Sequence, residues 1–213
     1  MIDIYGVNIY QKDIFRYLRV NKNAEILDWG CGDGTNIDNF KKEGYLATEG
    51  LDVEPSLSRV DVAIDSDSIG FLERNPQKWD VIFARQSIYY IPKDGQSRLW
   101  NAFHSALKPG GKLIIIVFNG ALTSAEWIIQ KDFGIQFSLN EISLFNLAET
   151  SEFKEIKVFG IRVTHRTPIG FVTSFLLDLY KNLNCHLRYL SERGIDSQNP
   201  KIFTKSITLL ASK

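Results

Sequence analysis

The spacing of apolar residues changes period along the chain, and each change marks an element. In residues 9–20, Ile14, Phe15 and Leu18 recur at helical intervals, which predicts an amphipathic helix ahead of the core. Residues 25–29 (Glu-Ile-Leu-Asp-Trp) are a short apolar run that ends in glycines, the pattern of a buried strand feeding a turn. Residues 35–43 predict a helix closed by Gly44, and residues 45–53 a second strand ending in an acid. A third strand is expected at 60–64, a short helix at 66–74 and a fourth strand at 79–84. Residues 92–107 predict a helix with Pro92 near its start and Lys108-Pro109-Gly110-Gly111 stopping it. Residues 113–118 (LIIIVF), continuous and β-branched, predict a strand buried on both faces. Strands alternating with helices at this pitch indicate βαβ units and an α/β fold with a parallel, doubly wound sheet.

After Asn119 the alternation gives way to helical stretches at 124–131 and 140–150, a strand at 153–163 and a long amphipathic segment at 170–192. That segment carries Phe171, Phe175, Leu176, Leu179, Leu183, Leu187 and Leu190 on one stripe, suited equally to a core or to the face of a homodimer. Residues 202–210 predict the last strand, so a helical insertion over 165–200 separates the final two strands and is the expected substrate side of a pocket. With 213 residues and no linker or repeat, a single domain over 1–213 is expected. It divides into a helical lead (1–22), a ligand-binding half (23–120) and a substrate-side half (121–213). The 25 basic and 25 acidic residues cancel, which disfavours a general nucleic-acid binder. The longest apolar run, 113–118, is far short of the roughly 20 residues of a membrane helix. The first residues lack a secretory pattern, and Cys31 and Cys185 do not make a disulfide framework, so a cytoplasmic chain is expected.

The chemistry concentrates in Asp28-Trp29-Gly30-Cys31-Gly32-Asp33-Gly34-Thr35. Glycine at alternate positions lets the chain turn sharply from strand to helix and brings backbone N–H groups close to a ligand. The spacing is G-x-G-x-G rather than the dinucleotide G-x-G-x-x-G, which argues against a nicotinamide dehydrogenase. A tight turn alone would explain the glycines, but Asp52 ends the next strand about 20 residues on, where this fold places an acid for ribose hydroxyls. Asp65 ends the third strand and could accept from an adenine amino group, with Asp67 a rival for that role.

Asp28-x-Gly30-x-Gly32-x-Gly34, Gly50-Leu51-Asp52, Trp79-Asp80-Val81-Ile82-Phe83 and Leu107-Lys108-Pro109-Gly110-Gly111-Lys112-Leu113, in this order and spacing, resemble a class I S-adenosylmethionine-dependent methyltransferase of small-molecule type. The resemblance covers residues 24–118, with weaker support from 139–158. It implies a Rossmann-like seven-stranded sheet, mostly parallel, whose last strand inserts antiparallel between the fifth and sixth. It implies S-adenosyl-L-methionine as cofactor, with Gly30, Cys31 and Gly32 lining the methionine moiety and Asp28 orienting the loop and the amino group. Asp52 would take both ribose hydroxyls, Val53 the adenine face, and Asp65 with the backbone of Ser66 the adenine edge. Arg85 stands where the family often contacts the amino-acid portion, although small or polar residues are more usual there. Two departures stand out: the stretch from Asp52 to Asp80 is short, and Ala84-Arg85-Gln86-Ser87 replaces the Asn/Asp-Pro-Pro-aromatic signature of base amino methylation. No cluster of acids and amides suggests a metal site, and the three histidines and two cysteines lack zinc spacing.

Methyl transfer from a sulfonium requires no protein nucleophile, because holding acceptor and methyl in reach supplies on the order of 7–11 kcal/mol of the barrier. A hydroxyl acceptor would gain about 10²–10⁴-fold from a general base. His165, after the sixth strand, is the candidate catalytic residue, with a histidine bonding loop backbone as its plainer reading. His104 reads as packing, and His186 is ambiguous. Tyr5, Tyr10, Tyr89, Tyr90, Trp127, Phe171 and Phe175 would either wall an acceptor site or fill core. As walls they favour a small molecule over a nucleic acid, since Lys154, Lys157, Arg162 and Arg166 make only a thin basic track. The expectation is methyl transfer to a small-molecule oxygen. The alternative is a catalytically inactive, methyltransferase-like partner protein.

Overall fold

Leu113, Ile114, Ile115, Ile116 and Val117 are all buried, because the strand that carries them lies inside a sheet with both neighbours present. That strand is β6 (Leu107–Phe118). The computed structural model describes residues 4–10, 19–54, 59–121, 131–132, 134–162, 176, 180, 183–184, 187, 202, 204 and 206–213. Among them the other strands are β1 (Ile4–Tyr10), β2 (Ile26–Trp29), β3 (Thr48–Asp52), β4 (Val62–Ile64), β5 (Trp79–Arg85), β7 (Lys154–Arg162) and β8 (Ser206–Ser212). The helices are α1 (Thr35–Lys42), α2 (Ser68–Glu73), α3 (Gln96–Ala106) and α4 (Glu141–Thr150). The strand order is β1-β7-β8-β6-β5-β2-β3-β4.

From β4 to β7 this is the expected seven-stranded, Rossmann-like sheet. Strands β4, β3, β2, β5 and β6 pair in parallel, and β8 enters antiparallel between β6 and β7. Alternate residues of each strand feed opposite cores, as a pleated strand with two covered faces requires. Leu113, Ile115 and Val117 join Leu27, Trp29, Trp100 and Phe103 on one face, whereas Ile114 and Ile116 join Ile26, Phe83 and Phe159 on the other. Edge-to-face ring pairs, Trp29 with Phe103 at 5.3 Å and Trp100 with Phe153 at 6.3 Å, fix the first of these layers.

The helical lead is corrected at its start. Residues 4–10 form β1, which pairs in parallel with β7 and adds an eighth strand at the sheet's edge. The edge of β7 offers an unpaired row of backbone groups, and satisfying it outweighs a weak helical period over a few residues. Ile9 and Tyr10, placed in the helix by periodicity, pair with Ile161 and Arg162; residues 11–18 lie outside the described set.

Several boundaries also move. The helix expected from Pro92 begins at Gln96, after two 3-10 turns at Ile88–Tyr90 and Lys93–Gly95. The Lys108–Gly111 stretch does not separate helix from strand: β6 begins at Leu107 and absorbs it as an irregularity opposite Trp79 to Val81. The last strand starts at Ser206 rather than 202. Residues 124–130 of the helix expected over 124–131 and most of the 170–192 segment lie outside the described residues. Within that segment Leu176, Leu183 and Leu187 are each more than half exposed.

Ile115 is fully buried in the larger core. Ile115→Ala is expected to remove about 2–5 kcal/mol of unfolding free energy in a urea titration. A loss below about 1 kcal/mol would contradict the two-faced burial of β6.

Candidate cofactor site at the carboxyl end of the sheet

The loop between β2 and α1 turns because three of its residues adopt positive φ: Gly30 at 70°, Gly32 at 56° and Gly34 at 78°. At Gly30 there is also no room for a side chain, since a Cβ would lie 2.4 Å from that of Ser87. Ser87 in turn donates its hydroxyl to the Trp29 carbonyl at 3.0 Å, so the end of β5 braces the start of the loop. At Gly32 the situation is reversed: a Cβ would meet nothing within 4 Å, leaving the backbone open to a ligand. The N–H groups of Gly30 and Cys31 both donate to the Leu51 carbonyl, at 2.8 and 3.1 Å, which ties the loop to β3.

Two acids flank this loop. Asp28 is fully buried, and neither of its carboxylate oxygens has a hydrogen-bond partner of good geometry. Burial pushes its pKa up to about 7; the nearby Asn36 amide and the charge of Arg85 pull it down, and Asp52 adds to the rise. A buried carboxylate left unpartnered is the donor-seeking group that a ligand's ammonium would satisfy. Asp52, half-buried at the end of β3, accepts from Gly32 N at 2.7 Å, Val53 N at 2.8 Å and Glu54 N at 3.1 Å. A carboxylate offers about four lone-pair sites, so these three bonds leave one free, and a second hydroxyl donor would have to share an oxygen with a backbone N–H. Val53, apolar yet half exposed, lies next to it. The Cys31 thiol is pushed up to about 12 by burial first and then by Asp28 and Asp52. It is therefore a neutral wall of the loop and not a nucleophile.

Asp65 follows β4, and its N–H donates to the Asp52 carbonyl at 3.0 Å. Its carboxylate accepts from Asp67 N at 2.9 Å and from Arg74. Asp67 caps α2 by accepting from Gly70 N at 2.9 Å. Ser66 is exposed between them. The glycine loop, Asp28, Asp52, Val53, Asp65 and Ser66 thus gather around the ends of β2, β3 and β4. The half-buried Arg85 joins them from β5, close enough for its charge to act on both Asp28 and Tyr89. His165 lies outside the described residues, as do Trp127, Phe171, Phe175, Cys185 and His186. His104 belongs to α3 and meets Phe153 edge-on at 5.1 Å, the packing role expected of it.

Sequence reasoning missed Ser87, Asn36 and Asp132. Tyr90 donates its hydroxyl to Asp132 at 2.7 Å, and Tyr89 stacks on Phe118 at 6.1 Å. No local signal marks these pairs, because the partners are 42 and 29 residues apart in the chain. Among the described residues, no three His, Cys, Asp or Glu side chains group as metal ligands.

Comparison with known proteins gives the following. A family profile described as a methyltransferase domain matches residues 9–165. No curated protein sequence matches the chain. Among solved structures, a SAM-dependent methyltransferase from Archaeoglobus fulgidus superposes with a TM-score of 0.69 at 16% identity, covering 95% of this chain and 92% of that one. The phosphoethanolamine N-methyltransferase 2 of Haemonchus contortus, in complex with phosphomonomethylethanolamine and S-adenosylhomocysteine, superposes with a TM-score of 0.58 at 18% identity over 94% of this chain. This chain spans 51% of that protein's length. The same nematode enzyme with S-adenosyl-L-methionine gives 0.59 at 17% identity, covering 94% of this chain and 51% of that one.

Two outcomes test the loop. Between 3.8, the usual value for Asp28, and about 7, its folded value, the unfolded chain has released this proton while the folded protein retains it. Stability contributed by this group therefore falls as pH rises across that window, and the penalty is complete above it. Asp28→Asn is expected to raise the thermal midpoint at pH 8 and to change it little at the acid end of the window. An unchanged midpoint at pH 8 would contradict the buried, unpartnered carboxylate. Gly30→Ala is expected to lower the midpoint, because it combines positive φ with the Ser87 contact, whereas Gly32→Ala meets only the φ penalty. Equal losses in the two variants would contradict the close approach of Ser87.

Proposed function

This chain belongs to the methyltransferase-domain family and uses S-adenosylmethionine as its methyl donor, and from that premise we propose that it methylates a small-molecule acceptor at oxygen. The observation that carries the reading is the buried, unpartnered carboxylate of Asp28 beside an open glycine backbone and the Asp52 carboxylate. The reading of an inactive partner protein has no comparable support.

In the proposed arrangement Asp28 receives the ammonium of the methionine portion and Arg85 its carboxylate, while the backbone of Gly30, Cys31 and Gly32 runs alongside. Asp52 holds both ribose hydroxyls, Val53 covers one adenine face, and Asp65 with the Ser66 N–H reads the adenine edge. When bound, S-adenosylmethionine supplies an activated methyl whose leaving group is already in place. The protein's task is then to orient an acceptor and exclude water.

Tyr89, Tyr90 and Phe118 form an aromatic corner near Arg85, a surface suited to a small organic acceptor. The Tyr90 hydroxyl is fixed on Asp132, and burial followed by that bond pushes its pKa up to about 12, so it stays a neutral donor. The Asp132 carboxylate retains lone pairs that can receive the hydroxyl of the proposed acceptor. His165, three residues beyond β7, is proposed as the base that removes the acceptor's proton. No helix among the described residues is long and apolar enough to cross a membrane. We place the reaction in the cytoplasm.

Calorimetric titration with S-adenosylmethionine and S-adenosylhomocysteine is the test. Micromolar binding, about −8 kcal/mol, that Asp52→Ala weakens strongly is the expected result. A folded wild-type protein that binds neither would overturn the site. With binding in hand, methyl-labelled donor presented with hydroxyl, carboxyl, amine and thiol compounds tests the acceptor, and labelling of amines alone would overturn the oxygen assignment.

A further inference from the structure

We infer that Arg59, on the approach to β4 and outside every expected contact with the cofactor, is a positioning residue that sets the shape of the glycine loop. This deepens the proposed function and rests on the reading that the loop holds the methionine end of the cofactor.

The guanidinium of Arg59 makes five hydrogen bonds, one for each of its N–H donors. Nε and Nη2 donate to the two oxygens of Asp61 at 3.0 and 3.2 Å. Nη2 and Nη1 donate to the two oxygens of Asp38 on α1 at 2.7 and 3.2 Å. Nη1 also donates to the backbone carbonyl of Asp33, in the loop itself, at 3.3 Å. The group packs so closely on the loop that a Cβ at Gly34 would lie 2.8 Å from its central carbon.

Each partner is anchored in turn. Asp61 accepts a second cation, Lys41 of α1, at 2.6 Å, and its carbonyl accepts from Gly50 N of β3 at 2.8 Å. Asp33 uses a side-chain oxygen to accept from Thr35 N at 2.9 Å, which caps the start of α1 in place of Gly34. One planar fork therefore fixes the peptide between Asp33 and Gly34 against both the helix behind it and the strand beside it. That peptide follows Gly32, the residue whose open backbone faces the ligand side and whose N–H engages Asp52.

The clamp bears on geometry more than on stability. Its ion pairs are partly exposed, and pairs of that kind add little to folding. The same pieces are already packed together beneath it by Cys31, Ile37 and Val62. A loop already held in its binding geometry loses less freedom when a ligand arrives, so the clamp should be read in affinity. Its effect should also be local. The methionine end lies along the loop, whereas the adenosine end is assigned to Asp52, Val53 and Asp65. A lysine keeps the charge but not the fork.

The test compares S-adenosylhomocysteine with methylthioadenosine, which lacks the amino-acid end, by calorimetry on the full chain. Arg59→Met and Arg59→Lys are each expected to bind S-adenosylhomocysteine about tenfold more weakly than wild type, with methylthioadenosine changed by less than about twofold. Circular dichroism establishes that each variant is folded. If Arg59→Met does not fold, Asp38→Asn, which weakens one arm of the clamp, carries the same comparison with an expected loss of about threefold on S-adenosylhomocysteine alone. Wild-type affinity in Arg59→Lys would show that charge alone suffices and would overturn the inference. Parallel losses for the two ligands, or no loss in any variant, would overturn it as well. Wild-type protein that binds neither ligand would instead remove the site on which the inference rests.

Discussion

The Leu51 carbonyl accepts from two consecutive N–H groups, those of Gly30 and Cys31, and much of the site depends on that double contact. It stops β2 from continuing as a strand and bends the chain over the end of β3. Asp28, two residues upstream of the turn, is thereby sealed into the sheet, while Gly32, one residue downstream, reaches the Asp52 carboxylate. Without that bend the two acids would remain on neighbouring parallel strands with nothing between them. With it they border one open stretch of backbone.

Sealing Asp28 in this way is unfavourable for the folded protein, since its carboxylate is desolvated and has only the nearby Asn36 amide and the charge of Arg85 to offset that. Gln86, a non-glycine residue at φ 56°, adds local strain beside Ser87 and Arg85. Both features sit at the carboxyl end of the sheet, within the region proposed to meet the ligand. Unfavourable local choices of this kind persist where the surrounding structure over-determines them. Here the surroundings are β2, the buried centre of β5 and the 113–117 run of β6, whose packing on two faces outweighs the local penalties.

The two halves of the proposed site are built differently. The proposed cofactor side rests on strand ends and short loops held by backbone hydrogen bonds and by the Arg59 clamp. The proposed acceptor side rests on side chains that meet across the chain, with Tyr90 on Asp132 and Tyr89 on Phe118. In this fold chemistry is varied through such loops while the scaffold stays constant. Family membership accordingly defines the donor, and the acceptor has to be argued from the aromatic corner.

Much was legible in the residues themselves. The buried run at 113–118, the strand-glycine-helix passage at 26–42 and the acid at Asp52 determined a doubly wound sheet and the strand ends at which the cofactor site is proposed, because period, turn chemistry and strand ends are local properties. The antiparallel entry of the last strand came from the family resemblance, and the structure agrees. Only the tertiary structure decided that residues 4–10 are a strand, since nothing local announces the open edge of β7 that they fill. It likewise made Asp67 a helix cap, and it brought Ser87 onto Gly30 and Arg59 onto Gly34. Those contacts join residues 57 and 25 positions apart. Local periodicity reports which face of an element is buried, but not which distant element arrives to cover it.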